Sequence, residues 1–238
     1  MKIFYLYNSG FAVEAGDTLL VFDCISIDNS KQIGEGFISK SYVESFKRAY
    51  FFVSHKHADH YDRRIFNMSS PNVKYILAYG TPGTSKDSKS IFLKRKDTFD
   101  DDRIFVKAYG STDLGVSFLV EIADTSIFFA GDLNCWHWTM DASLKEERMA
   151  REAFSSELEF IKEDVGSAKI DIAFFPVDPR MKGNYDDGAM EFFFMFRPSL
   201  FVPMHFRQQT DIPKIFSKKI PADTFIISRP GDSKEFNK

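Results

Sequence analysis

Cysteine is scarce in this chain, with two residues, Cys24 and Cys135, among 238. That excludes a disulfide framework and a Cys-x-x-Cys zinc knuckle. Long apolar runs are lacking too. No stretch approaches the roughly 18 to 20 residues that cross a bilayer, and the opening Met1-Lys2-Ile3-Phe4 has no cleavable signal pattern, so a cytoplasmic protein with no membrane partner is expected. Positive charge is in deficit, 31 Lys and Arg facing 34 Asp and Glu for a net charge of -3. Nucleic acid is drawn to basic faces and is therefore not an expected partner. The short runs Lys94-Arg95-Lys96 and Lys218-Lys219 read as solvated surface. Histidine is sparse as well, at five residues.

Phenylalanine is abundant, with 27 residues in a chain that is 44% hydrophobic. Most of it falls in alternating or helical apolar patterns, which makes it core filling rather than a base-stacking platform. The length suits one large domain or two fused halves. With no repeat, low-complexity tract or linker, 1–238 reads as a single domain of two β-rich halves, about 1–110 and 111–238. Short runs at 3–7, 11–14 and 18–23, separated by Asn8-Ser9-Gly10 and Ala15-Gly16-Asp17, predict a β-meander. A helix capped by Ser39 over 39–47, a strand at 50–53 and a helix from about 61 follow. Further strands are predicted at 75–78, 104–108, 116–122 and 126–130, the last two joined as a hairpin through Ala123-Asp124-Thr125. A long amphipathic helix over 142–165 should cover a sheet with Phe154, Leu158, Ile161 and Val165. A strand at 170–175, a helix over 188–196 and a strand at 200–203 complete the series. Strands followed by helices, twice over, suggest two sheets packed together with helices outside.

The densest chemistry lies in His55-Lys56-His57-Ala58-Asp59-His60, directly after the apolar run 50–53. Three imidazoles and a carboxylate at the end of a strand are what a pair of borderline-soft divalent ions requires. Gly131-Asp132 follows a second apolar strand and Met204-His205 a third. In this order the motifs resemble those of the metallo-β-lactamase fold superfamily of metal-dependent hydrolases, over nearly the whole chain. The small stand-alone members similar to ascorbate-phosphate lactonase come nearest, through Pro203-Met204-His205-Phe206. The resemblance implies an α+β, four-layer αββα sandwich with two metals at one edge, held by His55, His57, Asp59, His60, Asp132 and His205.

One position departs from the family pattern. Its members carry a further histidine just before a strand, which corresponds here to 109–113, and none is present. The site built on His55, His57 and Asp132 is thus one ligand short and expected to be partly occupied, whereas Asp59, His60, His205 and the bridging Asp132 are complete. His137 is the unassigned histidine. It is either a replacement ligand or an imidazole serving packing or substrate between Trp136 and Trp138; Ser111, Asp113, water and Cys135 are the other candidates for the vacancy.

The chemistry expected is hydrolysis of a small ester, lactone or phosphate ester by a metal-bound hydroxide that Asp59 orients, with two ions of zinc, or of iron or manganese, as cofactors. His137, Tyr185 and Arg180 are candidates for helping the leaving group depart. Arg180 and Lys182 either lie in a solvated loop or capture a substrate anion. A phosphodiesterase or nuclease of the same superfamily and a non-catalytic metal- or ligand-binding protein are the alternatives. Oligomeric state is not legible.

Overall fold

A computed structural model describes residues 1–68, 70–83, 89–137 and 142–238. These residues form two compact units, Met1–Lys94 with Ile227–Lys238 and Arg95–Ile226. Each contains a mixed sheet of seven strands.

The first unit opens with the expected meander, β1 (Lys2–Tyr7), β2 (Gly10–Ala15) and β3 (Thr18–Phe22). Asn8 makes the first turn at a φ of 53°, a left-handed conformation that asparagine tolerates. Helix α1 (Lys40–Glu44) begins at Ser39, whose hydroxyl accepts from the Tyr42 amide. It leads to β4 (Arg48–Val53), β5 (Val73–Ala78) and β6 (Ser90–Leu93), which pair in parallel with β3 and with each other. Leu19, Val21, Phe51, Val53, Tyr75 and Leu77 from these strands pack with Val43 of α1. The helix expected from about Tyr61 is instead a short 3-10 segment, Arg63–Met68. Asp62 accepts from the Arg64 amide and tightens its first turn, and Ile65 and Met68 pin it to the core.

The second unit repeats the plan. Strands β7 (Thr98–Asp100), β8 (Ile104–Tyr109), β9 (Ser117–Ile122) and β10 (Thr125–Phe129) are antiparallel. Thr125 pairs with Ile122, so the β9–β10 hairpin turns on Ala123-Asp124 alone. Helix α2 (Leu144–Val165) starts at a capping box in which Ser143 and Glu146 bond each other's amides, and it ends at Gly166. Then come β11 (Ile172–Pro176), α3 (Asp187–Phe196), β12 (Leu200–Met204), α4 (Ile212–Phe216) and β13 (Asp223–Thr224), with β10 to β13 running parallel. The last strand, β14 (Ser233–Glu235), returns to the first unit and pairs with β1.

Phenylalanine fills this second core. Phe128 stacks on Phe192 of α3 at 4.9 Å, Phe192 meets Phe175 at 4.7 Å, and Phe154 of α2 meets Phe175 edge-on. Each such side chain contributes roughly 1.5 to 3 kcal/mol by leaving water. The long helix covers its sheet with Phe154, Leu158 and Ile161, as its periodicity requires, while Val165 is only half-buried.

Candidate functional site

In both units the chemistry gathers where parallel strands end. Asp23 follows β3 and Ser54-His55 follows β4, its parallel neighbour. In the second unit Asp132 follows β10, Asp178 follows β11 and His205 follows β12. Carboxyl ends of adjacent parallel strands share one sheet edge, so residues far apart in sequence become neighbours there.

The first unit brings the whole histidine cluster together. His60 and Tyr61 both donate their amides to the His57 carbonyl, and this turn folds His60 back until its ring lies 4.1 Å from that of His55. Asp23, wholly buried, organises the group. Its carboxylate accepts from the Ser54 amide at 2.7 Å, from the Ser54 hydroxyl at 2.6 Å and from His60 Nδ1 at 2.7 Å. An ionised carboxylate only accepts, so the proton of His60 is on Nδ1 and Nε2 carries the lone pair. The same logic reaches His55. Because Ser54 Oγ gives its proton to Asp23, it accepts from His55 Nδ1 at 3.0 Å, which leaves the His55 Nε2 lone pair facing His57 Nδ1 at 3.0 Å. Two nitrogens bound to one tetrahedral zinc would be about 3.3 Å apart. Asp59 Oδ2 lies 3.9 Å from His60 Nε2 and accepts from the Asn8 side-chain Nδ2 at 3.4 Å.

The second unit contains a matching arrangement. His205 Nδ1 donates to buried Asp178 at 2.8 Å, and His205 Nε2 lies 3.5 Å from Asp132 Oδ1. Arg180 grips Asp178 with Nε 3.0 and 2.9 Å from its two oxygens, and Nη2 closes on the same carboxylate. Burial opposes ionisation of Asp178, but the hydrogen bonds from His205 and Arg180 outweigh it and hold its pKa down to about 2. The 3.5 Å approach of Arg180 Nη2 to His205 Nδ1 is no hydrogen bond, because both nitrogens are donors. Asp23, Ser54, Asn8 and Asp178 were not singled out in the sequence. The legible signal was an acidic residue directly after an apolar strand, as in Val21-Phe22-Asp23 and Pro176-Val177-Asp178.

Several sequence candidates have other employment. His137 is buried, with Nδ1 2.9 Å from the Cys135 carbonyl and Nε2 3.0 Å from Arg151 Nη2 and 3.4 Å from Asp187. A proton on Nδ1 for the carbonyl leaves Nε2 to accept from Arg151. Both ring nitrogens thus have partners inside the second unit. Trp138 lies outside the described residues. Burial pushes the Cys135 thiol up to about 11, far from the thiolate that binds metal. Ser111 accepts from the Asp113 amide at 3.3 Å. Next to it Thr112 donates to the Asn134 carbonyl and accepts the Asn134 amide, at 2.5 and 3.0 Å, fastening the segment after Asp132. Tyr185 lies under Lys219, whose ammonium is 4.7 Å from the ring and 2.6 Å from Asp186. Lys182 is exposed.

No protein-family model and no curated protein matches the sequence. Solved structures do match. Igni18, described as a novel metallo hydrolase from Ignicoccus hospitalis, is 18% identical with a TM-score of 0.66 and 99% of each chain covered. The metallo-β-lactamase fold protein YhfI from Bacillus subtilis is 14% identical with a TM-score of 0.61 and 98% of each chain covered. CmlA from Streptomyces venezuelae, a diiron β-hydroxylase, is 12% identical with a TM-score of 0.62, over 94% of this chain and 52% of that one. Identities this low establish architecture alone, and on that basis this chain has the α+β metallo-β-lactamase fold.

Proposed function

We propose that this chain is a metal-dependent hydrolase holding two divalent ions, with His55, His57 and Asp132 around one and Asp59, His60 and His205 around the other. Asp132 is the shared ligand in this reading, and 1–238 acts as one domain. The observation that carries the proposal is the orientation of the imidazoles. Ser54, Asp23 and Asp178 take the Nδ1 protons of His55, His60 and His205, which commits each Nε2 to lone-pair donation. Imidazole with carboxylate and no thiolate suits zinc first, then iron or manganese.

Such ions, when bound, polarise a carbonyl or phosphoryl oxygen and lower the pKa of water. The chain supplies the rest. Asp59, steadied by the Asn8 side chain, would accept a hydrogen bond from the attacking water or hydroxide and orient it towards the substrate. Asp178 with Arg180 holds His205 in its tautomer, and His137 fixes the segment that follows Asp132. The substrate is a small ester, lactone or phosphate ester met in the cytoplasm, and the net charge of -3 speaks against a nuclease.

The test strips purified protein with a chelator, reloads it with zinc, iron(II) or manganese, and measures bound metal and turnover of 4-nitrophenyl acetate, a γ-lactone, 4-nitrophenyl phosphate and bis-4-nitrophenyl phosphate. Metal-dependent turnover of one of the first three supports the reading. Failure to retain a transition metal under any loading overturns it, and cleavage of the phosphodiester alone replaces it with the nuclease alternative.

A further inference from the structure

We infer that Trp136 selects the substrate, and that the substrate is an acyl compound with a flat apolar group beside the scissile bond. This rests on the hydrolase reading and narrows it.

Trp136 is half-buried and lies between two of the proposed ligands of its own unit. Its Nε1–H donates to the Asp132 carbonyl at 2.8 Å. Its ring meets that of His205 edge-on, with centroids 5.6 Å apart and planes at 64°. The neighbouring residues keep it from swinging away. Cys135 and His137 are both buried, and His137 is tied to the Cys135 carbonyl and to Arg151. The indole is therefore an apolar plate held beside two of the proposed ligands. A planar hydrocarbon laid against it leaves water and gains offset or edge contacts, whereas a small alkyl group covers little of it.

The experiment compares ethyl phenylacetate with ethyl acetate, which share a leaving group, in the zinc-loaded wild type and in Trp136→Ala, Trp136→Leu and Trp136→Phe. Wild type should prefer the aryl ester by at least about tenfold in kcat/KM, within the span that apolar pocket contacts provide. The Ala and Leu variants should lose that preference with metal content unchanged, and the Phe variant should keep most of it. A second readout needs no catalysis: benzyl methyl ketone, an uncharged analogue that cannot be hydrolysed, should bind metal-free wild type more tightly than acetone and lose that advantage in Trp136→Ala. An unchanged preference in the Ala variant overturns the inference while leaving the hydrolase intact. So does equal loss in Phe and Ala, which would make the bond to Asp132 the important feature. No turnover of either ester with phosphate-ester turnover present refutes the substrate class. No turnover of any substrate fails the hydrolase reading itself, while the ketone comparison still judges the plate.

Discussion

The two units solve one problem with different economy. In the first, a single carboxylate, Asp23, serves two histidines, His60 directly and His55 through the Ser54 hydroxyl. In the second, Asp178 serves His205 alone and is itself held by Arg180, while Asp132 sits on a segment fastened by Thr112 and His137. The same device, a carboxylate after one parallel strand reaching a histidine after the next, is concentrated in one unit and distributed in the other. A concentrated arrangement fails all at once and a distributed one fails by degrees.

That contrast is open to direct attack. The largest effect is expected from Asp23→Ala, which removes the partner of two imidazoles. Metal content after dialysis should fall by more than the 10- to 100-fold loss of affinity usual for one outer partner, and by more than in Asp178→Ala. Equal losses in the two variants would erase the distinction between the units. Next comes Gly188→Ala, because a Cβ there would stand 2.1 Å from Asn134 Oδ1 and 2.9 Å from the Cys135 amide. It should displace the segment after Asp132 and lower stability by about 1 to 3 kcal/mol in urea unfolding, with metal retention by the second unit's ligands reduced alongside.

A smaller effect concerns alkali. Burial raises the phenols of Tyr42 in the first unit and Tyr109 in the second, aided by their hydrogen bonds to Glu14 and Asp164. The folded pKa lies above the ordinary value of 10.0, so the stability these groups add is intact below pH 10 and is lost as pH rises beyond it toward the folded value. Denaturant midpoints measured between pH 9 and 11 should fall less steeply in Tyr42→Phe and in Tyr109→Phe than in wild type. The smallest change is a gain. Ala123 turns the β9–β10 hairpin at a φ of 50°, and Ala123→Gly should stabilise by about 0.5 to 1 kcal/mol, read as a higher melting temperature with metal binding unaffected.

Legibility in the sequence followed the same division. His55 to His60 announce themselves because one turn of chain carries them, directly after the continuous apolar run of β4. Asp132 and His205 are 73 positions apart, and only the resemblance to a family pattern linked them to the cluster. The residues that orient the imidazoles were hidden, since an acidic residue after a strand is common and its hydrogen bond depends on which strand lies alongside. His137 is ambiguous for the opposite reason: its rarity and nearness to Asp132 suit a ligand as well as a packing or substrate role, and its neighbours Arg151 and Asp187 are brought up by two helices distant in sequence. Edge strands such as β6, β7, β13 and β14 are too short for alternation to register, and the 3-10 segment Arg63–Met68 has too few residues to declare a period.

Asp23 and His205 both have positive φ, at 40° and 65°. For residues with a Cβ this left-handed turn costs on the order of 1 kcal/mol or more each, and glycine would adopt it freely. The chain therefore keeps two of its positive-φ positions for side chains that glycine cannot replace. Glycine at position 23 would relieve that strain but strand the Ser54 amide, the Ser54 hydroxyl and His60 Nδ1 without their shared acceptor, so directed evolution for heat resistance alone should still retain the aspartate, with strain and burial holding each other in place.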